Sequence, residues 1–176
     1  VILVVPENRL AGIKKDISKI KKTKKVLVIS GGFRRQDSVK NGLLSVSNKS
    51  QLVCLHDGAR PFVSEKLIKQ AIIVCSKNDG AIVAHPNFDT LKICERGYVK
   101  KTIDRNNVWM AQTPQVFWKT KLLNAIAISE KKNMEVTDES SMMESLGYKV
   151  SVVPGDHSNF KITSREDWER AVNIIA

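Results

Sequence analysis

Short apolar runs alternate along the chain with longer segments in which apolar residues recur every three or four positions. The short runs are typical of strands buried in a parallel sheet, and the periodic segments are typical of amphipathic helices. Because each of the first three strands is followed by a helix, the pattern predicts an α/β fold with a doubly wound, mainly parallel sheet. The predicted strands are residues 1–5, 25–29, 52–55, 81–84 and 149–153.

The predicted helices lie between and after these strands. Ser164 and Asp167 have the spacing of a capping box, so the closing helix is expected to begin at Ser164. The other helices cover residues 10–20, the segment after Gly31-Gly32, residues 64–75, the region of residues 122–126, and a short stretch that ends at Gly147. With no linker or repeat to divide them, we expect a single domain over residues 1–176.

One region breaks the alternation of strands and helices. Two segments of alternating polar and apolar residues, 90–94 and 98–103, flank Glu95-Arg96-Gly97, which is a hairpin signature. A two-stranded hairpin is marginally stable alone and usually packs on something else. The sequence therefore predicts that residues 86–108 form a projecting arm that docks on a partner subunit.

The first candidate for chemistry follows the strand at residues 52–55, where His56-Asp57-Gly58-Ala59-Arg60-Pro61 ends the apolar run. In open α/β sheets, ligands bind at the carboxyl ends of the strands. Asp57 could hold a divalent cation or a ribose hydroxyl, and Arg60 could grip a phosphate through its planar guanidinium. The alternative is an ordinary turn that carries an exposed ion pair.

The second candidate follows the strand at residues 25–29. Gly31 and Gly32 let the backbone pass close to a ligand, and the next helix presents free amides at its start. Asp37 or Ser38 is expected to cap that helix. The alternative is a plain strand-to-helix turn with a capping side chain.

Composition narrows the class of partner. Lys and Arg outnumber Asp and Glu by 29 to 18, and the formal charge of +11 favours anionic partners. Seven lysines fall within residues 14–25 without an interleaved aromatic side chain, which favours a solvated helix face over a nucleic-acid surface.

The three cysteines form no C-x-x-C pair, which predicts a reducing compartment and no structural zinc. No apolar run approaches the roughly 20 residues of a membrane-spanning helix.

Seven blocks of residues follow one another in a characteristic order over nearly the whole chain. The blocks are Gly31-Gly32 with Arg35 and Asp37-Ser38-Val39, His56-Asp57-Gly58-Ala59-Arg60-Pro61, Asp89-Thr90-Leu91-Lys92, Asp104-Arg105, Thr113-Pro114-Gln115-Val116-Phe117, Thr137-Asp138-Glu139 and Phe160-Lys161-Ile162-Thr163. Seven motifs in one order are far more specific than any one of them. In this order they resemble one family, that of the 2-C-methyl-D-erythritol 4-phosphate cytidylyltransferases.

The resemblance implies a magnesium-dependent nucleotidyltransferase on a Rossmann-like sheet with helices on both faces. Such an enzyme joins CTP to 2-C-methyl-D-erythritol 4-phosphate and releases pyrophosphate, a step of isoprenoid precursor synthesis by the non-mevalonate pathway. By the same resemblance, Gly32 and Ser38 would contact the cytosine, and Asp57 would lie near the ribose and the metal ion. Arg60 and Lys161 would be catalytic cations.

The remaining site residues also come from the resemblance. Thr113 would line the sugar-phosphate pocket, and Thr137 and Asp138 match a further substrate-binding motif. Thr90 and Arg105, on or beside the arm, would reach the sugar phosphate bound to the other subunit of a homodimer, with Arg105 as a third catalytic cation. The attacking phosphate is already ionised, so the reaction needs cations to offset charge and no general base.

Two features depart from the family pattern. The family begins with a glycine-rich loop whose arginine and lysine cradle the triphosphate, whereas this sequence begins at Val1 inside an apolar run. We therefore expect that the natural N-terminus lies outside this sequence, that any targeting segment is not visible, and that the fragment alone has little activity. Phe33 stands where a polar residue often follows the glycines. The resemblance implies a bacterial cytoplasmic or plastid stromal location.

Two alternatives remain open on the sequence. Ribitol-5-phosphate cytidylyltransferases share most of these blocks, and the sequence separates the two families poorly because the sugar pocket is built from loops. A basic nucleic-acid-binding module would explain the charge and not the order of the blocks. It would bind duplex DNA with a steep dependence on salt, which an enzyme with a charged patch would not match.

Overall fold

The computed structural model describes residues 1–134 and 136–176. Contacts between Cα atoms divide the chain into two compact units, which are described separately. Unit 1 comprises Val1–Val53 and Phe117–Lys149, and unit 2 comprises Cys54–Val116 and Val150–Ala176. The single domain over residues 1–176 stays a prediction.

Unit 1 is built on two parallel strands, β1 (Ile2–Val5) and β2 (Leu27–Ser30), in a register that pairs Ile2 with Leu27. Its helices are α1 (Leu10–Lys19), preceded by a 3-10 turn at Glu7–Arg9, α2 (Arg35–Leu44), α4 (Lys119–Lys131) and α5 (Glu139–Ser145). Helix α1 has no buried residue, which agrees with a solvated lysine face. Helix α2 packs on β1, β2 and α4, and α4 packs on α5, so their apolar faces form the core of this unit.

Unit 2 contains the parallel strands β4 (Gly80–Pro86) and β8 (Val150–Pro154). Helix α3 (Glu65–Cys75) packs on both strands and buries one face through Leu67, Ala71 and Cys75. A second helix, α6 (Arg165–Ile175), closes the chain. The sheet has the order β3-β7-β4-β8, where β3 is Leu52–Leu55 and β7 is Trp109–Trp118.

The predicted hairpin is present as β5 (Leu91–Glu95) and β6 (Tyr98–Ile103), an antiparallel pair in a sheet of its own. Arg96 and Gly97 connect the strands with φ angles of 50° and 84°. Two successive positive φ angles are those of a type I′ turn, whose twist matches that of the flanking strands. Every residue of β6 is exposed, so the part of the chain that the structure describes leaves this strand uncovered.

Strand β7 is the largest difference from the prediction, which assigned no strand to Gln112-Thr113-Pro114-Gln115. The structure has a strand over Trp109–Trp118 with a cis peptide bond at Thr113–Pro114, and Gln112 to Phe117 are buried. The prediction was wrong because proline and three polar residues break the apolar pattern that marks a buried strand.

The two predicted helix starts have different outcomes. Helix α6 begins as expected, because the Asp167 amide donates to Ser164 Oγ and the Ser164 amide donates to Asp167 Oδ2. At α2 the N-cap is Arg34, and neither Asp37 nor Ser38 occupies that position. Asp37 instead lies in the first turn of the helix, where its Oδ2 accepts the Arg34 amide at 3.0 Å.

Among the residues that the structure describes, no helix is both long enough and apolar enough to cross a bilayer.

Candidate active site

One carboxylate in unit 2 lies between two cations. Lys161 Nζ is 3.0 Å from Asp57 Oδ2, and Arg60 Nε is 3.8 Å from the same oxygen. The Arg60 side chain is 12% exposed and that of Lys161 is 46% exposed, so the ammonium group is the cation open to solvent. Burial lowers the pKa of Arg60 from its usual value, and the Asp57 carboxylate opposes that shift. We call Asp57, Arg60, Thr113 and Lys161 the Asp57 cluster.

The loop before α6 is tied to the turn after β3. The Ile162 amide donates to the Ala59 carbonyl at 2.8 Å, and Arg60 Nη1 donates to the Asn159 carbonyl at 2.7 Å. The Phe62 and Phe160 rings stack with their centroids 5.2 Å apart. These contacts flank Lys161 on both sides, so they fix the backbone that brings its side chain to Asp57.

Thr113 joins the cluster from strand β7. Its Oγ1 accepts the backbone amide of Asp57 at 3.0 Å and lies 3.0 Å from His56 Nδ1. His56 Nε2 in turn lies 2.9 Å from the Arg60 carbonyl. One threonine hydroxyl and one imidazole therefore connect β7 to both ends of the turn that carries Asp57 and Arg60.

Two buried amide side chains support this arrangement, and sequence reasoning missed both. Asn159 is 1% exposed, and its Nδ2 donates to Gln112 Oε1 at 3.1 Å and to the Thr113 carbonyl at 2.8 Å. Gln112 Nε2 donates to the Asp156 carbonyl at 2.9 Å. Since buried amides must find partners, these bonds fix the loop 156–161 against β7. Gln112 immediately precedes Thr113, and Asn159 immediately precedes Phe160, at the start of two motifs of the family pattern. This adjacency is the one sequence signal that could have pointed to them.

The predicted cytosine residues, Gly32 and Ser38, are in contact in unit 1. The Gly32 amide donates to Ser38 Oγ at 3.0 Å, while the Gly31 amide donates to the Val5 carbonyl at 2.8 Å. A Cβ atom on Gly31 would lie 2.6 Å from Ser38 Oγ, and one on Gly32 would lie 2.3 Å from Asp37 Cβ. The two glycines are therefore required by the close approach of this turn to the first residues of α2.

Thr137 and Asp138 lie at the start of α5, also in unit 1. Asp138 is the N-cap, and its Oδ1 accepts the Ser141 amide at 2.8 Å. The next residue, Glu139, is 1% exposed and accepts two bonds from the Arg35 guanidinium, at 2.7 and 2.6 Å. The bidentate pair joins α2 to α5, so this motif has at least a structural role. Arg35 and Glu139 both belong to motifs of the family pattern, but nothing in those motifs indicates that the two residues pair.

Thr90 and Arg105 lie at the base of the hairpin, and both are exposed. Arg105 Nη1 donates to the Phe88 carbonyl, and Asn87 Nδ2 donates to the Asp89 carbonyl at 2.6 Å. Within the described part of unit 2, neither Thr90 nor Arg105 makes a hydrogen bond or ion pair with the Asp57 cluster. Their predicted role in a partner's site stays a prediction.

Asp57 is the metal ligand that the resemblance implies. Magnesium at nucleotide sites is usually held by one or two carboxylates together with phosphate oxygens and waters. Among residues 1–134 and 136–176, no group of three or more His, Cys, Asp or Glu side chains could enclose an ion. A single carboxylate just beyond β3 fits a site completed by a substrate, so Asp57 remains the candidate ligand.

Comparison with known proteins identifies the family. The family model of 2-C-methyl-D-erythritol 4-phosphate cytidylyltransferase matches residues 1–176. The chain belongs to this family. A relative of that name from Syntrophus aciditrophicus is 38% identical over 169 residues, which are 95% of this chain and 72% of the relative. Another, from Clostridioides difficile, is 40% identical over 152 residues, which are 86% of this chain and 64% of the relative.

Solved structures agree with the sequence comparison. The 4-diphosphocytidyl-2C-methyl-D-erythritol synthase from Anaerococcus prevotii has a TM-score of 0.88 and 34% identity, covering 99% of this chain and 80% of that one. The predicted Rossmann-like α/β fold is confirmed. Cytidylyl transfer from CTP to 2-C-methyl-D-erythritol 4-phosphate is the function of the family, so the predicted enzyme class and reaction are confirmed in preference to a nucleic-acid-binding module.

Proposed function

We propose that the Asp57 cluster is the reaction centre of this cytidylyltransferase, in which Lys161 and Arg60 bind the reacting phosphates. The proposal rests on one observation. Lys161 and Arg60 both approach the carboxylate of Asp57, which lies just after strand β3. Ligands of open α/β sheets bind at the carboxyl ends of strands. A half-exposed ammonium held by a carboxylate can turn from that partner to an incoming phosphate with little reorganisation.

The reaction requires positive charge at this place. An oxygen of the sugar phosphate forms a bond to the α-phosphorus of CTP, the bond from that phosphorus to the bridging oxygen breaks, and pyrophosphate leaves with the bonding electrons. Both reactants are polyanions, so their approach is opposed by charge repulsion, and stabilisation comes from cations placed in advance. Lys161 and Arg60 supply two such cations, and the nucleophile needs no base because it is already ionised.

A magnesium ion is part of the proposal. When bound, it would neutralise charge on the phosphates, and Asp57 would supply one carboxylate ligand to it. The carboxylate also holds Lys161 at 3.0 Å, so it organises the cations whether or not it carries the ion.

For the cytosine, the proposal assigns the turn at Gly32 and Ser38. The absence of side chains at Gly31 and Gly32 brings this backbone close to α2, and the Ser38 hydroxyl fixes the Gly32 amide. A turn that is already fixed loses little freedom when a base binds to it. Thr137 and Asp138 would line the substrate site beside the start of α5.

The proposal also includes a homodimer in which the arm, residues 86–108, reaches the partner's site. Apolar side chains on the hairpin are exposed, with Tyr98 at 80% and Val99 at 62%. A hairpin of this kind is poorly stable until it packs on another surface, and a twin subunit would supply one. Thr90 and Arg105 would then face the sugar phosphate of the other subunit.

The choice of acceptor is tested by measuring pyrophosphate release from CTP by the full-length protein. The proposal predicts a higher kcat/KM with 2-C-methyl-D-erythritol 4-phosphate than with ribitol 5-phosphate. A value for ribitol 5-phosphate that is equal or higher would overturn the assignment of the acceptor. Since both acceptors carry the same kind of phosphate, the ratio of their kcat/KM values reports on the sugar pocket alone.

A further inference from the structure

His56 makes two contacts in unit 2, and the proposed reaction assigns no role to either of them. Its Nε2 lies 2.9 Å from the Arg60 carbonyl, and its Nδ1 lies 3.0 Å from Thr113 Oγ1. The same hydroxyl oxygen accepts the Asp57 amide at 3.0 Å. The imidazole therefore spans the turn and connects it to β7 through a residue of the proposed site.

The hydrogen atoms in this series of contacts can be assigned from which groups can donate and which can accept a hydrogen bond. A carbonyl oxygen only accepts, so Nε2 carries the hydrogen that is donated to Arg60. In the neutral imidazole Nδ1 is then an acceptor, and the hydrogen it receives can come only from the Thr113 hydroxyl. The Thr113 oxygen, in turn, accepts the Asp57 amide, so all these groups are satisfied at once.

We infer that His56 is a positioning residue that makes Thr113 an acceptor, and not a donor, toward the substrate. With its hydrogen committed to His56 and one lone pair to the Asp57 amide, Thr113 Oγ1 has one lone pair left. A lone pair suits a hydroxyl of the sugar and repels a phosphate oxygen. Thr113 would thus recognise the polyol part of the acceptor, while Lys161 and Arg60 bind phosphate. This inference rests on the proposed function.

The two contacts of His56 can be separated by substitution. In His56→Gln the amide nitrogen can replace Nε2 and keep the bond to the Arg60 carbonyl, but the contact with Thr113 is lost. In His56→Asn the side-chain oxygen can replace Nδ1 and keep Thr113 in place, but the bond to Arg60 is lost. The two variants therefore serve as matched controls for each other.

The two variants of the full-length protein should differ in which steady-state constant they change. In His56→Gln the KM for the sugar phosphate should rise about 10-fold, with the KM for CTP unchanged, since one substrate hydrogen bond is worth a factor of this order. In His56→Asn the sugar-phosphate KM should be unchanged while kcat falls about 10- to 100-fold, because the Asp57–Arg60 turn is misplaced. Equal effects of both variants on both constants would overturn the inference.

A measurement on this chain without substrate tests the hydrogen assignment itself. At about pH 8, where histidines are normally neutral, ¹⁵N NMR of the imidazoles should show the hydrogen of His56 on Nε2. His85 is an internal control, because its Nδ1 lies 3.1 Å from the Pro86 carbonyl and should carry the hydrogen there. A hydrogen on Nδ1 of His56 would overturn the inference. Failure of the parent enzyme to use the sugar phosphate would instead overturn the proposed function and leave the NMR result standing.

Discussion

Lys161 Nζ lies 3.0 Å from Asp57 Oδ2, although one residue follows strand β3 and the other precedes helix α6. The contact is held by backbone and side-chain bonds on either side of it, through Ala59, Arg60 and Asn159. A lysine in a loop would ordinarily be a mobile surface group. Here its backbone is fixed by hydrogen bonds on either side of the residue, which is what an electrostatic site requires.

Lys161 should contribute far more to activity than the lysines within residues 14–25. We expect Lys161→Ala to lower kcat/KM by about 100-fold or more, as removal of a preorganised charge does. Lys21→Ala and Lys24→Ala are the controls, since both side chains are exposed. The measurement is cytidylyl transfer at fixed ionic strength. Equal losses in all three variants would point to a diffuse effect of charge and against a defined site.

Asn159 should stabilise the folded protein as well as hold the loop 156–161 against β7. Asn159→Ala removes two hydrogen bonds from a side chain that is 1% exposed and leaves Gln112 Oε1 without its donor. The free energy of unfolding in urea should fall by about 2–4 kcal/mol. Asn124→Ala, at an exposed position on α4, should change it by less than about 0.5 kcal/mol. Similar effects at both positions would show that the Asn159 bonds contribute little.

The start of helix α6 should give a pH-dependent contribution to stability. Hydrogen bonds from Thr163 and Ser164 lower the pKa of Asp167 below its ordinary value. The folded state therefore binds a proton less readily than the unfolded state, so this stabilisation is present above the ordinary aspartate pKa and is lost as the pH falls through the lowered value. The difference in Tm between the parent and Asp167→Asn should be largest near neutral pH and shrink in acid. A constant difference would exclude this origin.

A shared site can be tested by mixing two inactive variants. Asp57→Ala and Arg105→Ala of the full-length protein should each be nearly inactive. If Arg105 acts on the partner's site, a mixed dimer has one site with both lesions and one with neither, so free exchange should restore about a quarter of the sites. If exchange is demonstrated and the mixture stays inactive, Arg105 serves its own subunit.

The elements that the sequence predicted are those with a local signal. The apolar run at residues 52–55 and the capping box at Ser164 are found where the pattern put them. Strand β7 was missed because its buried Gln112 and Thr113 are satisfied by groups far along the chain, which no local pattern records. The separation into two compact units depends equally on contacts between distant residues.

The candidate site was predicted only in part for the same reason. Motifs placed Asp57, Arg60, Thr113 and Lys161 on the list of site residues, and the structure brings these four together. The residues that position them gave no signal of their own. Asn159 acts through buried hydrogen bonds and His56 through its two ring nitrogens, and the partners of both residues are brought to them only by the fold.

Asp57→Asn in the full-length protein shows whether the Asp57 carboxylate organises the phosphate-binding cations. The amide keeps the shape and removes the charge, so circular dichroism and Tm should stay close to those of the parent. Cytidylyl transfer at saturating magnesium should fall by more than about 100-fold, the scale expected for a lost charge in a preorganised site. A folded variant that turns over within about tenfold of the parent would instead show that Asp57 is a structural residue and that its charge does not organise the cations.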